Sequence, residues 1–314
     1  MLKQDHQGAD VDTAVSALLR GELVLLPTET VYGLACDAGN ARAVAGVFEA
    51  KGRPQFNPLI AHVTGVEAAL AIAELDARAQ RLAEAFWPGP LTLVAPVRDT
   101  AAVCDLARAG LDTVAVRAPD HPVAQAVLAA VGRPLAAPSA NRSGRPSPTT
   151  LEDALEETGA FAFAALDGGP CRVGLESTVL GVAEGELVLL RPGAVTREAI
   201  ERIAGPLAPG LGAGHRSPGR LARHYAPSKP LRLEVTKPTP GAAYLAFGPE
   251  PAGASSGFNL SPSRDLAEAA ANLFALLRAA DRAPGELIEA APIPHEGLGE
   301  AINDRLQRAA GRVG

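Results

Sequence analysis

From Asp10 onward, short apolar runs alternate with stretches of helical period. That alternation is the strongest constraint on the fold, because strands separated by helices assemble into α/β layers. Asp12 is read as the cap of a first helix ending near Gly21, and LVLLP (Leu23–Pro27) as a buried strand. Residues 41–50 and 65–86 read as helices, and 58–63, 91–97 and 113–119 as strands. HPVAQAVLAAVG (121–132) is a helix closed by glycine, PLAAP (134–138) a strand, and Thr149-x-x-Glu152 a capping-box start for the next helix. FAFAALDGG, with STVLGV and GELVLLRPG paired as a hairpin about Glu184-Gly185, completes a sheet.

Residues 205–230 break the pattern. They are dense in Gly and Pro, lack Asp and Glu, and carry Arg216, Arg220, Arg223 and Lys229, which predicts an extended basic strap. Beyond it, LRLEV, AAYLAF, a helix over about 264–282, ELIEAAPI and a helix over about 299–310 form a smaller β/α unit. At 314 residues the chain is about twice a usual domain length. The expected division is a first domain over 1–205, a linker over 206–230 and a second domain over 231–314.

A formal net charge of −6 argues against a protein that coats nucleic acid by bulk electrostatics. Cys36, Cys104 and Cys171 are odd in number and lack a C-x-x-C pair, which points to a reducing, cytoplasmic compartment. The first twelve residues have no apolar core of a leader, and no run approaches eighteen apolar residues, so membrane spanning is not expected.

Four segments place hydroxyls, amides and cations at strand ends, where α/β sheets bind ligands. PTETVYGL (27–34) presents Thr28 and Thr30 around Glu29. KGRPQFNPLIAHV (51–63) sets Lys51 and Arg53 in a Pro-punctuated turn suited to phosphate oxygens, followed by Asn57 and His62. Only four lysines occur in the chain, so Lys51 is less easily read as routine surface decoration. APSANRSGRPSPTT (137–150) interleaves Ser139, Asn141, Ser143, Ser147 and Thr149 with two arginines ahead of a helix, as an anion cradle would. GLESTVL (174–180) with LLRPGAV (189–195) offers Ser177, Thr178 and Arg191, while Glu176 would hold a cation or pair with an arginine. The P-loop, dinucleotide, H-E-x-x-H and G-x-S-x-G patterns are absent. What remains suits a triphosphate and a small zwitterion, with catalysis by positioning and charge stabilisation.

These segments, together with FWPGPLTLV (86–94), TVAVRAPDHP (113–122), RHYAP (223–227) of the linker and, in the second unit, FNLSPS and PHEGLGEAINDRLQRAA, closely resemble the YrdC-type threonylcarbamoyl-AMP synthases in their longer, two-domain form. The resemblance implies an α/β fold: a YrdC-like three-layer twisted mixed sheet with flanking helices, plus a small Rossmann-like α/β domain joined by the basic linker. It implies synthesis of threonylcarbamoyl-AMP and pyrophosphate from L-threonine, bicarbonate and ATP with Mg2+, the product passing to a tRNA threonylcarbamoyl transferase complex; tRNA contact is possible but not required. By the same resemblance Lys51, Arg53, Asn57, Thr113, Asn141, Thr149, Arg191, His224 and Tyr225 would hold ATP. Thr30, His62, Arg117, Ser139 and Ser177 would hold threonine or its carbamate, with Arg117 forking the carboxylate and Lys51 and Arg53 stabilising phosphate charge. Magnesium is expected on the phosphates, with no dedicated metal cage. The strap is expected to close as a lid. Two rival readings are an RNA-binding translation or ribosome-assembly factor without catalysis and transfer from carbamoyl phosphate. An aromatic content of 4% weighs against the first and the missing Cys pairs against the second.

Overall fold

The computed structural model describes residues 9–183, 186–208, 224–251 and 257–311. The first unit runs α1 (Val11–Leu19), β1 (Val24–Leu26), β2 (Gly33–Asp37), α2 (Ala41–Lys51), β3 (Ile60–His62), α3 (Val66–Ile72), α4 (Ala77–Phe86), β4 (Leu91–Pro96), α5 (Asp105–Arg108), β5 (Thr113–Arg117), α6 (Pro122–Val131), β6 (Leu135–Ala136), α7 (Leu151–Thr158), β7 (Ala164–Ala165), β8 (Thr178–Ala183), β9 (Glu186–Arg191) and α8 (Arg197–Ala204). The second adds β10 (Leu231–Arg232), β11 (Ala243–Phe247), β12 (Asn259–Ser261), α9 (Leu266–Arg282), β13 (Ile288–Ala290) and α10 (Leu298–Ala309).

The first unit is one mixed sheet in the order β7-β1-β2-β6-β3-β5-β4-β8-β9. Side chains alternate across it, as a pleated strand requires. Val24, Leu26 and Ala35 turn to one face and pack with α1 and α6, whereas Leu25, Leu34 and Cys36 turn to the other and join Val44, Val47 and Leu82 of α2 and α4. Helices therefore cover both faces, giving the three layers expected. The registers bring functional side chains together. Parallel pairing of β3 with β5 sets His62 beside Arg117, and parallel pairing of β4 with β8 brings Ser177 to Thr92, their hydroxyls 2.7 Å apart.

The second unit is an all-parallel sheet, β10-β13-β11-β12. Its apolar core does not close on itself: Val31 and Leu175 from the first unit, and Tyr225, are packed into it. Gly174 explains how the units approach so closely. It has φ +70°, and a Cβ there would lie 2.4 Å from the Ala271 carbonyl oxygen, so the turn before Leu175 rests directly on the α9 backbone. Ion pairs cross the same boundary, Arg278 to Glu157 at 3.1 Å, Arg282 to Asp153 at 2.7 Å and Arg305 to Glu176 at 2.8 Å.

Several local expectations are corrected. Asp10, not Asp12, caps α1, accepting from the Thr13 amide at 2.7 Å. The single helix read over 65–86 is two, because Ala73 leaves the helix to bridge Val97 and Asp76 then caps a new start. Thr150 rather than Thr149 caps α7. LRLEV gives only Leu231–Arg232, with Glu234 turned to φ +61°. β2, α5 and α8 were not foreseen. The Glu184-Gly185 turn and residues 209–223 of the strap lie outside the described residues, although Leu180 and Leu189 on either side of that turn pair antiparallel as read. Among the described residues, no helix is long and apolar enough to cross a membrane.

Candidate active site

The turn after β1 is threaded into the sheet by the segment after β6. The Tyr32 amide donates to the Pro148 carbonyl at 2.9 Å, Leu34 to Pro138 at 2.8 Å, and Ala140 back to Tyr32 at 2.8 Å. The same segment is tied to the end of α2 by Ser143 donating to the Lys51 carbonyl at 2.7 Å. These bonds gather the four polar segments of the sequence around one cavity, lined by Thr30, Arg53, His62, Arg117, Ser139, Glu176, Ser177, Arg191, His224 and Tyr225 among others. Its volume is about 50 Å³.

Three arginines and one carboxylate face this space, which gives it a positive bias. Arg191 donates from Nη2 to the Ser177 carbonyl at 2.8 Å and to its hydroxyl at 3.2 Å, fixing β8 against β9 at their site ends. Arg53 is held by the Asn57 carbonyl at 3.3 Å and the Pro58 carbonyl at 3.1 Å. Arg117, expected from the resemblance to fork the threonine carboxylate, is 3% exposed and already engaged within the chain. Its Nη2 lies 2.6 Å from Glu29 Oε1, Nη1 donates to the Thr30 hydroxyl at 2.9 Å and Nε to the Gly89 carbonyl at 3.2 Å. Only Nε and one N–H of Nη1 are used in hydrogen bonds among the described residues, so a substrate carboxylate would share this cation with Glu29.

Lys51 is buried, and its ammonium donates to the carbonyls of Ser139 and Asn141. Burial, reinforced by Arg53, drives it well below the usual lysine range. Burial also pushes Arg53 down to about 10. Glu176 is pulled the other way: burial alone would raise it, but Arg305, Arg191 and the Ser147 hydroxyl hold it at about 2. Glu176 thus pairs with an arginine, the second of the two roles read for it. His62 donates from Nδ1 to the Ile60 carbonyl at 3.1 Å, and burial and Arg117 lower it to about 3. His224 is lowered to about 3 as well, chiefly by burial.

A stability dependence follows from the two histidines. Each binds a proton more readily in the unfolded chain, where 6.5 is the ordinary value, than in the folded one at about 3. Their contribution is complete above pH 6.5 and is lost as pH falls toward 3. At pH 5 the loss is roughly 2 kcal/mol per histidine. Melting temperature should therefore drop by several degrees between pH 8 and pH 5, and His62→Gln should remove about half of that slope. A flat profile in that window would contradict the burial of both rings.

The remaining expected residues stand behind the wall. Asn141 donates to the Arg142 and Arg145 carbonyls at 2.8 and 2.9 Å, and both its Oδ1 and that of Asn57 meet no hydrogen-bond partner among the described residues. Thr149 is buried, its carbonyl accepting from the Cys171 amide at 2.8 Å. Thr113 opens β5 at the end away from Arg117 and is half-buried; Lys51, Asn57, Thr113, Asn141 and Thr149 are not among the lining residues. Lys229, read as a strap cation, caps the end of α9 by donating to the Ala280 carbonyl at 3.1 Å and to that of Ala283. Two important residues were missed. Glu29 was noted only as a spacer between threonines, and Arg305 was not singled out. A signal existed for the second: Arg305 falls on the stripe of Ala301, Ile302 and Ala309, an arginine on the apolar face of a helix.

Comparison with known proteins came out consistently. The profile of the Sua5–YciO–YrdC family, described as "Telomere recombination", matches residues 16–193, and that of Sua5_C, described as "Threonylcarbamoyl-AMP synthase, C-terminal domain", matches 195–311. The threonylcarbamoyl-AMP synthase of Bacillus subtilis is 40% identical, with 94% of this chain and 92% of the relative covered. A putative threonylcarbamoyl-AMP synthase of Mycobacterium tuberculosis is 37% identical over 204 residues, which is 64% of this chain but 92% of the relative. The crystal structure of Pyrococcus abyssi Sua5 with L-threonine superposes with a TM-score of 0.87 at 37% identity, covering 96% of this chain and 94% of that one.

Proposed function

The chain belongs to the Sua5–YciO–YrdC family in its two-domain form and is an enzyme that makes threonylcarbamoyl-AMP from L-threonine and ATP; on that premise we propose that the arginine-lined cavity is where the reaction occurs. The observation that carries this is the convergence of Arg53, Arg117 and Arg191 with Thr30, Ser139 and Ser177 on one buried space. Bicarbonate supplies the carbon. The threonine amine gives up a proton and attacks it, water leaves, and a carbamate remains. A carbamate oxygen then attacks the α-phosphorus of ATP in line, and pyrophosphate leaves with the electrons of the broken P–O bond.

Such a step asks for clamped phosphates and neutralised charge rather than a side-chain nucleophile. Lys51 and Arg53 stabilise phosphate charge, and the ammonium of Lys51, with two of its three N–H groups on carbonyls, keeps one for a phosphate oxygen. Arg191, Asn57, Asn141, Thr113, Thr149, His224 and Tyr225 complete the ATP side. Thr30, His62, Arg117, Ser139 and Ser177 receive threonine or its carbamate. Magnesium would travel with the nucleotide, held by phosphate oxygens, and would supply neutralisation of their charge.

Residues 1–205 form the catalytic domain, 206–230 the strap and 231–314 the second domain in this reading. His224 and Tyr225, from the described end of the strap, stand in the cavity wall, which supports the reading of the strap as a lid over the substrates. The enzyme works in the cytoplasm and hands its product to a tRNA threonylcarbamoyl transferase complex. The test is pyrophosphate release from ATP by the purified protein, with and without bicarbonate and L-threonine, using L-serine as control. Release that needs both bicarbonate and L-threonine is the expected result. ATP left intact under every condition, with RNA still bound, would overturn the reading.

A further inference from the structure

We propose that Arg305, on the last helix of the second unit, is a positioning residue for adenylate synthesis, holding the turn that presents Ser177 and the loop that follows Arg191. The proposal rests on the cavity reading above. Arg305 is 1% exposed. Its Nε donates to Glu176 Oε2 at 2.8 Å and its Nη1 to the Pro192 carbonyl at 3.0 Å. Glu176 and Pro192 immediately adjoin Ser177 and Arg191, which are themselves bonded to each other. One guanidinium from the second unit therefore grips both strands of the cavity wall at their site ends.

The same group reaches the strap. Its Cζ lies 5.3 Å from the centre of the Tyr225 ring, and that ring stacks at 5.3 Å on Phe274 of α9. Tyr225 has φ +61°, a conformation a bulky residue keeps only when its surroundings enforce it. Two backbone bonds add to that enforcement: His224 donates to the Arg308 carbonyl at 3.4 Å and Ala226 to Gly144 at 2.7 Å. Glu176 completes the arrangement by accepting the Ser147 hydroxyl at 2.5 Å, which ties in the segment that carries Ser139 and Asn141. Arg305 is thus joined, directly or through Glu176, to the wall segments of Ser139, Ser177, Arg191 and Tyr225, though, among the described residues, not to those of Thr30, Arg53, His62 and Arg117.

Removing the cation leaves Glu176 buried without its ion pair, with only the Ser147 hydroxyl bonded to it. Arg191 of β9 and the titratable Lys51, His224 and Tyr225 also act electrostatically with Glu176, and Asp304 beside Arg305 shares that cation. His224 stays neutral and Tyr225 stays protonated across pH 6 to 9. Glu176 also raises Lys51, so E176Q alone is measured beside the variants below to read that contribution separately.

The experiment measures pyrophosphate release by full-length R305M, R305M/E176Q, E176Q and S177A over pH 6 to 9. R305M is expected to lose about a hundredfold, in kcat more than in KM, as misplaced positioning groups do. Its residual activity falls as pH rises, because the carboxyl of Glu176 without its cation is deprotonated late and only then becomes an unpaired charge. R305M/E176Q recovers about tenfold and loses that pH dependence. R305M within threefold of the parent, or a double variant no better than R305M, overturns the proposal. If R305M does not fold, R305K replaces it: it keeps the charge but not the fork, and activity equal to the parent then overturns the proposal. S177A with unchanged kinetics brings down the cavity reading itself, whereas a damaged S177A beside an intact R305M brings down only the role of Arg305.

Discussion

Arg117→Met is expected to cost both activity and stability, and a second substitution separates the two. Glu29 is 2% exposed, and burial would raise its carboxyl if the Arg117 guanidinium did not more than offset that and hold it below the ordinary value. Taking away the guanidinium leaves a buried carboxylate without a counter-charge, which typically costs about 3–5 kcal/mol. The Thr30 hydroxyl and the Gly89 carbonyl lose their donors in the same stroke. Threonine-dependent turnover should fall by at least about a hundredfold in kcat/KM, the size of a lost charge-assisted contact to substrate. Adding Glu29→Gln should restore most of the melting temperature, since no charge is then left buried, while turnover stays low because the substrate's cation is still missing. Thermal melting and pyrophosphate release on the single and double variants check this. Recovery of activity along with stability would mean that Arg117 serves the fold alone.

Lys51→Met should give the opposite balance. The ammonium is already penalised by burial and by Arg53, so replacing it with an apolar side chain of similar reach relieves desolvation even as it orphans the Ser139 and Asn141 carbonyls. These effects oppose each other, and stability should change by less than about 2 kcal/mol. Activity should fall roughly 10²–10³-fold, as it does when one preorganised group facing developing charge is removed. Melting curves beside ATP turnover decide the matter. A variant that unfolds, or one that keeps its turnover, would assign Lys51 to the scaffold.

Part of the cavity lining is legible because its residues belong to short segments with their own local logic: Arg53 stands just after a helix at a Pro-punctuated turn, Ser139 follows a strand and Arg191 ends one. Lys51, which closes α2, and Asn141 belong to the same segments but stand behind the wall. What the sequence left hidden depends on distant partners. Glu29 gains its meaning only from Arg117, eighty-eight positions later, and Glu176 from Arg305, one hundred and twenty-nine later. Caps slipped by one or two residues because Asp10 and Asp12, or Thr149 and Thr150, are equally good acceptors, and backbone direction chooses between them. The break between α3 and α4 is hidden for a similar reason: Ala73 is a good helix former, but an isolated bridge to Val97, just past the end of β4, claims its backbone.

The core shared by the two units bears on how such chains gain or shed parts. Val31 and Leu175 are interior residues only while the second unit lies over them. Cutting the chain after α8 would therefore bare an apolar patch beside the working site and strip Glu176 of its counter-ion at the same moment. The boundary is a graft rather than a hinge: an ancestor with one unit could accept the second, or a descendant could dispense with it, only by resurfacing these positions in step.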